Sequence, residues 1–298
     1  MQSSLWQVAH DILVKGALGE GGSWGGPECA KAVPMAVHYA EDVVVITVLL
    51  VLYFACGFVR ETDLIAKQAS KGLAEYRKSN SSESISSQMW LDRAFSLVHF
   101  ALYAQLIYYK ATMSSLINLI QPCHVICLLQ GFALYSQKET GVLISIFVLP
   151  SLTGCFLAML FPDTSGLNQF LELEAYWVQH VVILLMPLYL LCRKDFLALR
   201  LATTKSVFVG LWICAFLHWS LYEIVDLALL VNVEFMLCPT GAMLSIFPLL
   251  PSWLTGLFSS YRVMLTLFVS IVAFPIAYFY IYTAFVLFKV YNSKAKKV

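Results

Sequence analysis

Leu171-Glu172-Leu173-Glu174-Ala175-Tyr176-Trp177-Val178-Gln179-His180 runs directly into Val181-Val182-Ile183-Leu184-Leu185-Met186-Pro187-Leu188-Tyr189-Leu190-Leu191-Cys192. Both charges of this stretch stand at its start, and the rest matches the ~20 apolar residues needed to cross a bilayer core as a helix. One such segment is an anchor. Several of them in one chain make a membrane bundle.

The rest of the chain repeats the pattern. Of its 298 residues, 60% are hydrophobic and only 12% charged, about half the charge fraction of an ordinary soluble domain. Apolar segments recur at 38–59, 94–113, 115–136, 142–161, 171–192, 206–230 and 263–288. The expected fold is therefore all-α, a polytopic bundle of about seven transmembrane helices over residues 38–290. A net charge of +1 excludes a nucleic-acid partner. Eight cysteines are too sparse for a disulfide scaffold.

Residues 1–37 lack the basic start and continuous apolar core of a signal peptide. Leu5, Val8, Ile12 and Leu13 instead recur at helical spacing, which predicts a short helix at the membrane surface. Gly19 to Pro27 reads as a loop. The polar stretch 60–93, including Ser79-Asn80-Ser81-Ser82, reads as a flexible loop with no fold of its own. Residues 291–298 form a basic tail. Fifteen Lys and Arg residues fall on the side of the 60–93 loop and the tail, against four (Lys15, Lys31, Lys110, Arg262) on the other. The positive-inside rule then puts the N-terminus in the lumen and the C-terminus and the 60–93 loop in the cytosol. Asn80, in an Asn-x-Ser sequon, is expected to stay unglycosylated there.

Within this apolar frame the third segment is interrupted by Pro122-Cys123-His124. Proline removes a backbone donor and clashes with the preceding turn, so the span is either kinked or broken, with a helix restarting at Pro122. In the second case Cys123 stands at the positive end of a half-helix, which favours the thiolate, the form that attacks. The alternative is a small cysteine used for packing. His180 lies ~13 Å into the fifth segment and Cys123 ~12 Å into the third, entering from the same side. An ionisable residue at that depth is costly and usually functional, and a cysteine with a histidine base is the minimal constellation for covalent acyl transfer. A histidine merely satisfied by a neighbouring backbone group is the competing reading.

Four further residues are candidates for support. Tyr176 shares a face with His180, Glu174 marks the mouth of the same segment, and Glu223 lies near the lumenal end of the sixth. Either carboxylate could orient the imidazole. His124 points about 100° away from Cys123 on a helix and is the weaker base. No metal is expected: Cys123, His124, Cys127 and His180 lack the carboxylates or spacing of a metal site. His99 and His218 read as packing hydrogen bonders. Cys29 and Cys238, both outside the spans on the lumenal side, form a possible disulfide.

Gly25-Gly26-Pro27-Glu28-Cys29, Gln121-Pro122-Cys123-His124, Glu172 through His180, and Met236-Leu237-Cys238-Pro239 together resemble the transmembrane protein 164 family, in the family's order and over roughly 24–240. The resemblance is weak in 60–93 and after Pro239, and it departs at Gln121, where the family pattern has Asn. It implies a cysteine-dependent membrane phospholipid acyltransferase in which Cys123 carries the acyl chain as a thioester and His180 is its partner. It also implies polyunsaturated, arachidonoyl-type chains moved from a donor phospholipid to an ether lysophospholipid, no cofactor, and a multi-pass location in the endoplasmic reticulum. The family is similar to the androgen-induced-gene lipid hydrolases, which use threonine with histidine. A lipid hydrolase with the same pair, and a non-enzymatic seven-span receptor or transporter, are the rival readings. The chain carries no Asp-Arg-Tyr or Asn-Pro-x-x-Tyr motif and no inverted repeat with paired broken helices.

Overall fold

A computed structural model describes residues 5–18, 25–164, 166–233, 236–239 and 261–295. Gly19 to Trp24, most of the 231–262 loop and the last residues of the basic tail lie outside these. Among the described residues the chain is all-helical, apart from one isolated bridge between Gly25 and Val231.

The helices are α1 (Leu5–Leu13), α2 (Pro27–Ala30), α3 (Met35–Ala55), α4 (Phe58–Ser79), α5 (Ser82–Thr112), α6 (Pro122–Tyr135), α7 (Glu139–Phe147), α8 (Leu152–Leu160), α9 (Glu172–Leu201), α10 (Thr204–Leu217), α11 (Glu223–Leu229) and α12 (Tyr261–Ala295). Four units among them are long and apolar enough to cross a bilayer: α3, α9, the continuous 204–229 helix and α12. The α7–α8 pair, bent by 44°, makes a fifth if counted as one span. The seven apolar segments are thus all helical, but they are not seven straight crossings. α5 carries His99, Gln105 and Lys110 inside its apolar part, and α6 with 14 residues is ~21 Å long against a ~30 Å hydrocarbon core.

α9 is the centre of the bundle, in contact with α4, α5, α6, α7, α8 and α12. Its inward side chains, such as Ile183 and Leu191, join Cys127, Ile146 and Leu149 in the main core. α3 lies at the periphery, with Val43, Val51 and Phe54 outward. On a membrane helix such surface faces lipid. α1 forms where the helical spacing predicts it and leaves Val8, Ile12 and Leu13 exposed.

The expectation of a flexible 60–93 loop is overturned. α4 is a continuous helix whose Phe58, Ile65, Ala69 and Leu73 are buried against α7 and α9. Arg60, Glu61, Asp63, Lys67 and Lys71 stand between them, so a narrow apolar stripe was hidden in a polar composition. Ser81 caps α5 by accepting a hydrogen bond from the Ser84 N–H at 3.2 Å. The Ser79–Ser82 cluster is therefore a helix boundary. The tail also changes, since α12 continues to Ala295.

α9 departs from helical geometry at its far end. Lys194, Asp195 and Phe196 have φ of 52°, 54° and 59°, a left-handed turn that costs L-residues ~1–2 kcal/mol each. Tertiary contacts hold it: Arg200 donates to the Asp195 carbonyl at 2.7 Å, Asn80 donates to the Asp195 carboxylate at 3.1 Å, and Phe196 packs edge-on against Phe288.

At the opposite end residues 14–18 and 25–30 pack with 231–233 and 236–238. Cys29 and Cys238 are joined in a disulfide, and the Asn232 side chain bonds the Leu237 N–H and the Cys238 carbonyl. Gly25, at φ +120°, comes so near Leu230 that a Cβ would lie 2.6 Å from its carbonyl oxygen. Only glycine fits there.

Candidate active site

Pro122 occupies the first position of α6, following Gln121 in extended geometry. The span is therefore broken at Pro122, and a half-helix restarts there. Gln121 makes no side-chain cap bond, so the position that departs from the family pattern leaves the cap role unfilled. Before it, Leu116–Ile120 form a 3-10 turn held from two sides. His124 donates from Nδ1 to the Asn118 carbonyl at 2.7 Å, and the Tyr222 hydroxyl donates to the Ile120 carbonyl at 2.8 Å. His124 is thus committed to positioning the start of α6. Cys123 and His124 sit in the first turn, where backbone N–H groups lack intrahelical acceptors and the helix dipole is positive.

α6 and α9 run in the same direction, and one bond sets their register. Gln130 Nε2 donates to the Ile183 carbonyl at 3.0 Å. Two turns back on each helix, Cys123 is level with Tyr176, about one turn above His180. Side chains on a helix lean toward its N-terminus, which brings the His180 ring up to that level. Its Nδ1 lies 2.8 Å from the Tyr176 carbonyl and its ring 4.3 Å from the Tyr176 ring. Tyr176 is within electrostatic reach of Cys123, and His180 within reach of His124. Both expected partners thus lie in one neighbourhood, Cys123 half-buried and His180 buried.

The Tyr176 carbonyl fixes the tautomer of the imidazole. A carbonyl acceptor at Nδ1 requires the proton on that nitrogen, so in the neutral ring Nε2 carries the lone pair. Nε2 is buried and has no hydrogen-bond partner. The orienting group is the Tyr176 carbonyl. Neither anticipated carboxylate has that role: Glu174 is exposed, and Glu223 lies elsewhere. Glu223 accepts from Arg262 at 3.0 Å and stands 2.7 Å from His38, in a cluster completed by Glu41 and Asp42 on Arg262 and by Trp219 beneath its guanidinium. That cluster ties α12 to α3 and α11. His99, bonded to Gln130 at 3.2 Å and to the Phe95 carbonyl at 2.8 Å, supports the α5–α6 contact as a packing histidine would.

Sequence reading missed Lys110. Near the end of α5 it ranked only as one of four lumenal cations, yet its side chain is mostly buried, 3.9 Å from Glu172 and within electrostatic reach of Cys123. Glu172 also accepts from the Asn168 and Gln169 N–H groups at 3.0 and 3.1 Å. A lysine at the end of an apolar run ordinarily snorkels to water, so nothing in the sequence distinguished this one. No cluster of metal-binding side chains is found among the described residues.

The model of the TMEM164 family matches residues 34–284. The chain belongs to the TMEM164 family. The match takes in α3 through most of α12, including Pro122-Cys123-His124 and His180, and continues past Pro239. The Gly25–Cys29 motif lies outside it. No solved structure matches this chain.

Proposed function

We propose that this protein is a membrane phospholipid acyltransferase in which Cys123 carries the acyl chain and His180 moves the proton. The observation that carries the reading is the buried, unpartnered Nε2 of His180, with its tautomer set by the Tyr176 carbonyl, one turn from a cysteine at a helix start. An orphaned buried polar atom is costly; the Nε2 of His38, in the ion-pair cluster, is orphaned too, and what sets His180 apart is its place on α9 alongside the start of α6.

His180 Nε2 takes the Cys123 proton, and the thiolate attacks the ester carbonyl of a donor phospholipid. First-turn N–H groups of α6 face the developing oxyanion. The ester C–O bond breaks, the imidazolium returns its proton to the departing lysophospholipid alkoxide, and a thioester remains. The hydroxyl of an acceptor lysophospholipid then gives its proton to His180 and attacks the thioester, and the thiolate leaves. Lys110 supplies positive charge beside the thiolate, with Glu172 holding the ammonium in place.

Family resemblance supports an arachidonoyl-type chain, an ether lysophospholipid acceptor and an endoplasmic reticulum location. The charge bias supports a lumenal N-terminus and a cytosolic C-terminus, and the apolar runs support seven membrane segments, two of them broken or short. Water as acceptor would make the same pair a hydrolase. Purified protein given a donor with a labelled acyl chain, with and without ether lysophospholipid, separates the two. Transfer of label to the lysolipid, absent in Cys123→Ala, is expected; full transfer by Cys123→Ala overturns the reading.

A further inference from the structure

At the end of the bundle opposite Cys123, α4, α5, the α6–α7 connection and the left-handed turn of α9 enclose a cavity of about 240 Å³. It is independent of the acyl site. Lys194 follows His180 by fourteen residues on α9, or ~21 Å along the axis.

The polar lining offers donors. Arg77 and Lys194 both line the cavity, and no carboxylate forms an ion pair with either among the described residues. Arg77 donates to the Gln137 carbonyl at 2.8 Å and Lys194 to the Ser136 carbonyl at 3.3 Å. Both thus bond the connection that follows α6. A guanidinium has five N–H donors and an ammonium three, so these bonds leave donors over. Gln137 Nε2, on the same wall, is buried with no hydrogen-bond partner. Burial, and then the charges of Asp195 and Asp92, push the Tyr76 phenol above its usual range, so it stays an O–H donor.

The nearby carboxylates are already taken. Asp92 accepts from Arg193 at 3.1 Å and from the Tyr189 hydroxyl at 2.8 Å, and Asp195 accepts from Asn80. The left-handed turn is what brings Lys194 inward, where it is 4% exposed although it stands at a helix end. Backbone strain of this kind persists where surrounding structure imposes it, and it concentrates at binding sites.

We propose that this cavity is a second, non-catalytic site that takes a phosphate monoester, either the head of an anionic lipid or a free phosphate. A planar guanidinium fork beside the Lys194 amine suits a tetrahedral oxyanion with several acceptors. The volume is below the ~300–1,000 Å³ of pockets that enclose larger ligands, so it fits a head group and leaves acyl chains outside. Leu73 and Met89 complete the lining with apolar surface.

Native mass spectrometry of the full chain in detergent tests this, with dioleoyl phosphatidate, dioleoylglycerol and inorganic phosphate as probes. Phosphatidate should be retained over dioleoylglycerol, and Arg77→Gln or Lys194→Met should each weaken it about tenfold, as expected for loss of a charge-assisted contact. Arg77→Lys, which keeps the charge and loses the fork, should bind more tightly than Arg77→Gln and less tightly than wild type. Competition by inorganic phosphate identifies the phosphate group alone as the ligand; retention of phosphatidate without such competition identifies the lipid. Equal retention of phosphatidate and dioleoylglycerol, or undiminished binding in Arg77→Gln, overturns the proposal. Arg77 is exposed, so its variant folds even if Lys194→Met does not. Acyl transfer by Cys123 is not read in this experiment.

Discussion

His180 holds its Nδ1 2.8 Å from the carbonyl of Tyr176, one turn earlier on the same helix, and its Nε2 is buried without a partner. The orienting group is backbone, so no side-chain substitution at a carboxylate should remove it. His180→Ala is expected to lower acyl transfer by ~10²–10⁴-fold, whereas Glu174→Gln, on an exposed residue, should leave the rate near wild type. Tyr176→Phe keeps the carbonyl and loses only the hydroxyl bond to Ala158, so it should retain most activity. Initial rates with a labelled donor measure all three. Strong loss in Glu174→Gln alone would reinstate a side-chain triad.

Lys110 lies against Glu172 and within reach of Cys123. Lys110→Met should slow alkylation of Cys123 by iodoacetamide at neutral pH by about tenfold, because a neighbouring cation favours the thiolate. Lys110→Arg keeps the charge and should recover much of the rate. A purely packing lysine would give the opposite order, with methionine better tolerated than arginine.

Arg193 and Asp92 form an ion pair at 3.1 Å with side chains 2% and 0% exposed. Breaking a pair so fully buried leaves one charge uncompensated, at a cost of ~3–5 kcal/mol. Arg193→Leu should therefore lower the melting temperature in detergent sharply. The double variant with Asp92→Leu should melt closer to wild type, since no charge is stranded. A double variant less stable than Arg193→Leu would contradict this account.

The disulfide and the sequon together test membrane orientation. The proposed orientation puts the Cys29–Cys238 disulfide in the lumen, so the chain from cells should migrate differently on reducing and non-reducing gels. Asn80, at the other end and bonded to Asp195, should carry no glycan. Cys238→Ser should remove the gel shift and cost ~2–5 kcal/mol of stability. A glycosylated Asn80 would reverse the proposed orientation.

Much of the molecule is legible in its residues alone. Apolar runs must be helical in a bilayer because every backbone donor needs an internal partner, so 171–192 and 263–288 had one available conformation. Pro122 left a kink or a helix start open, and the helix start is what forms, because a proline at the first position loses no hydrogen bond. Cys123 and His180 stood out because polar groups at that depth are costly.

What stayed hidden depends on neighbours. The stripe Ile65–Ala69–Leu73 is apolar only against α7 and α9, so a polar composition concealed α4. Lys110 and Glu172 are distant in sequence, as are His38, Glu223 and Arg262, and no local pattern tells which carboxylate meets which cation. Glu223 suited His180 by depth alone, yet Arg262 and His38 hold it. The apolar runs and the proline were enough to place the membrane helices and to mark an imidazole and a thiol at depth, because hydrocarbon leaves the backbone no other partners. Tertiary structure alone decided how those groups pair, because a buried charge or imidazole takes its partner from whatever the packing of distant helices brings within about 3 Å.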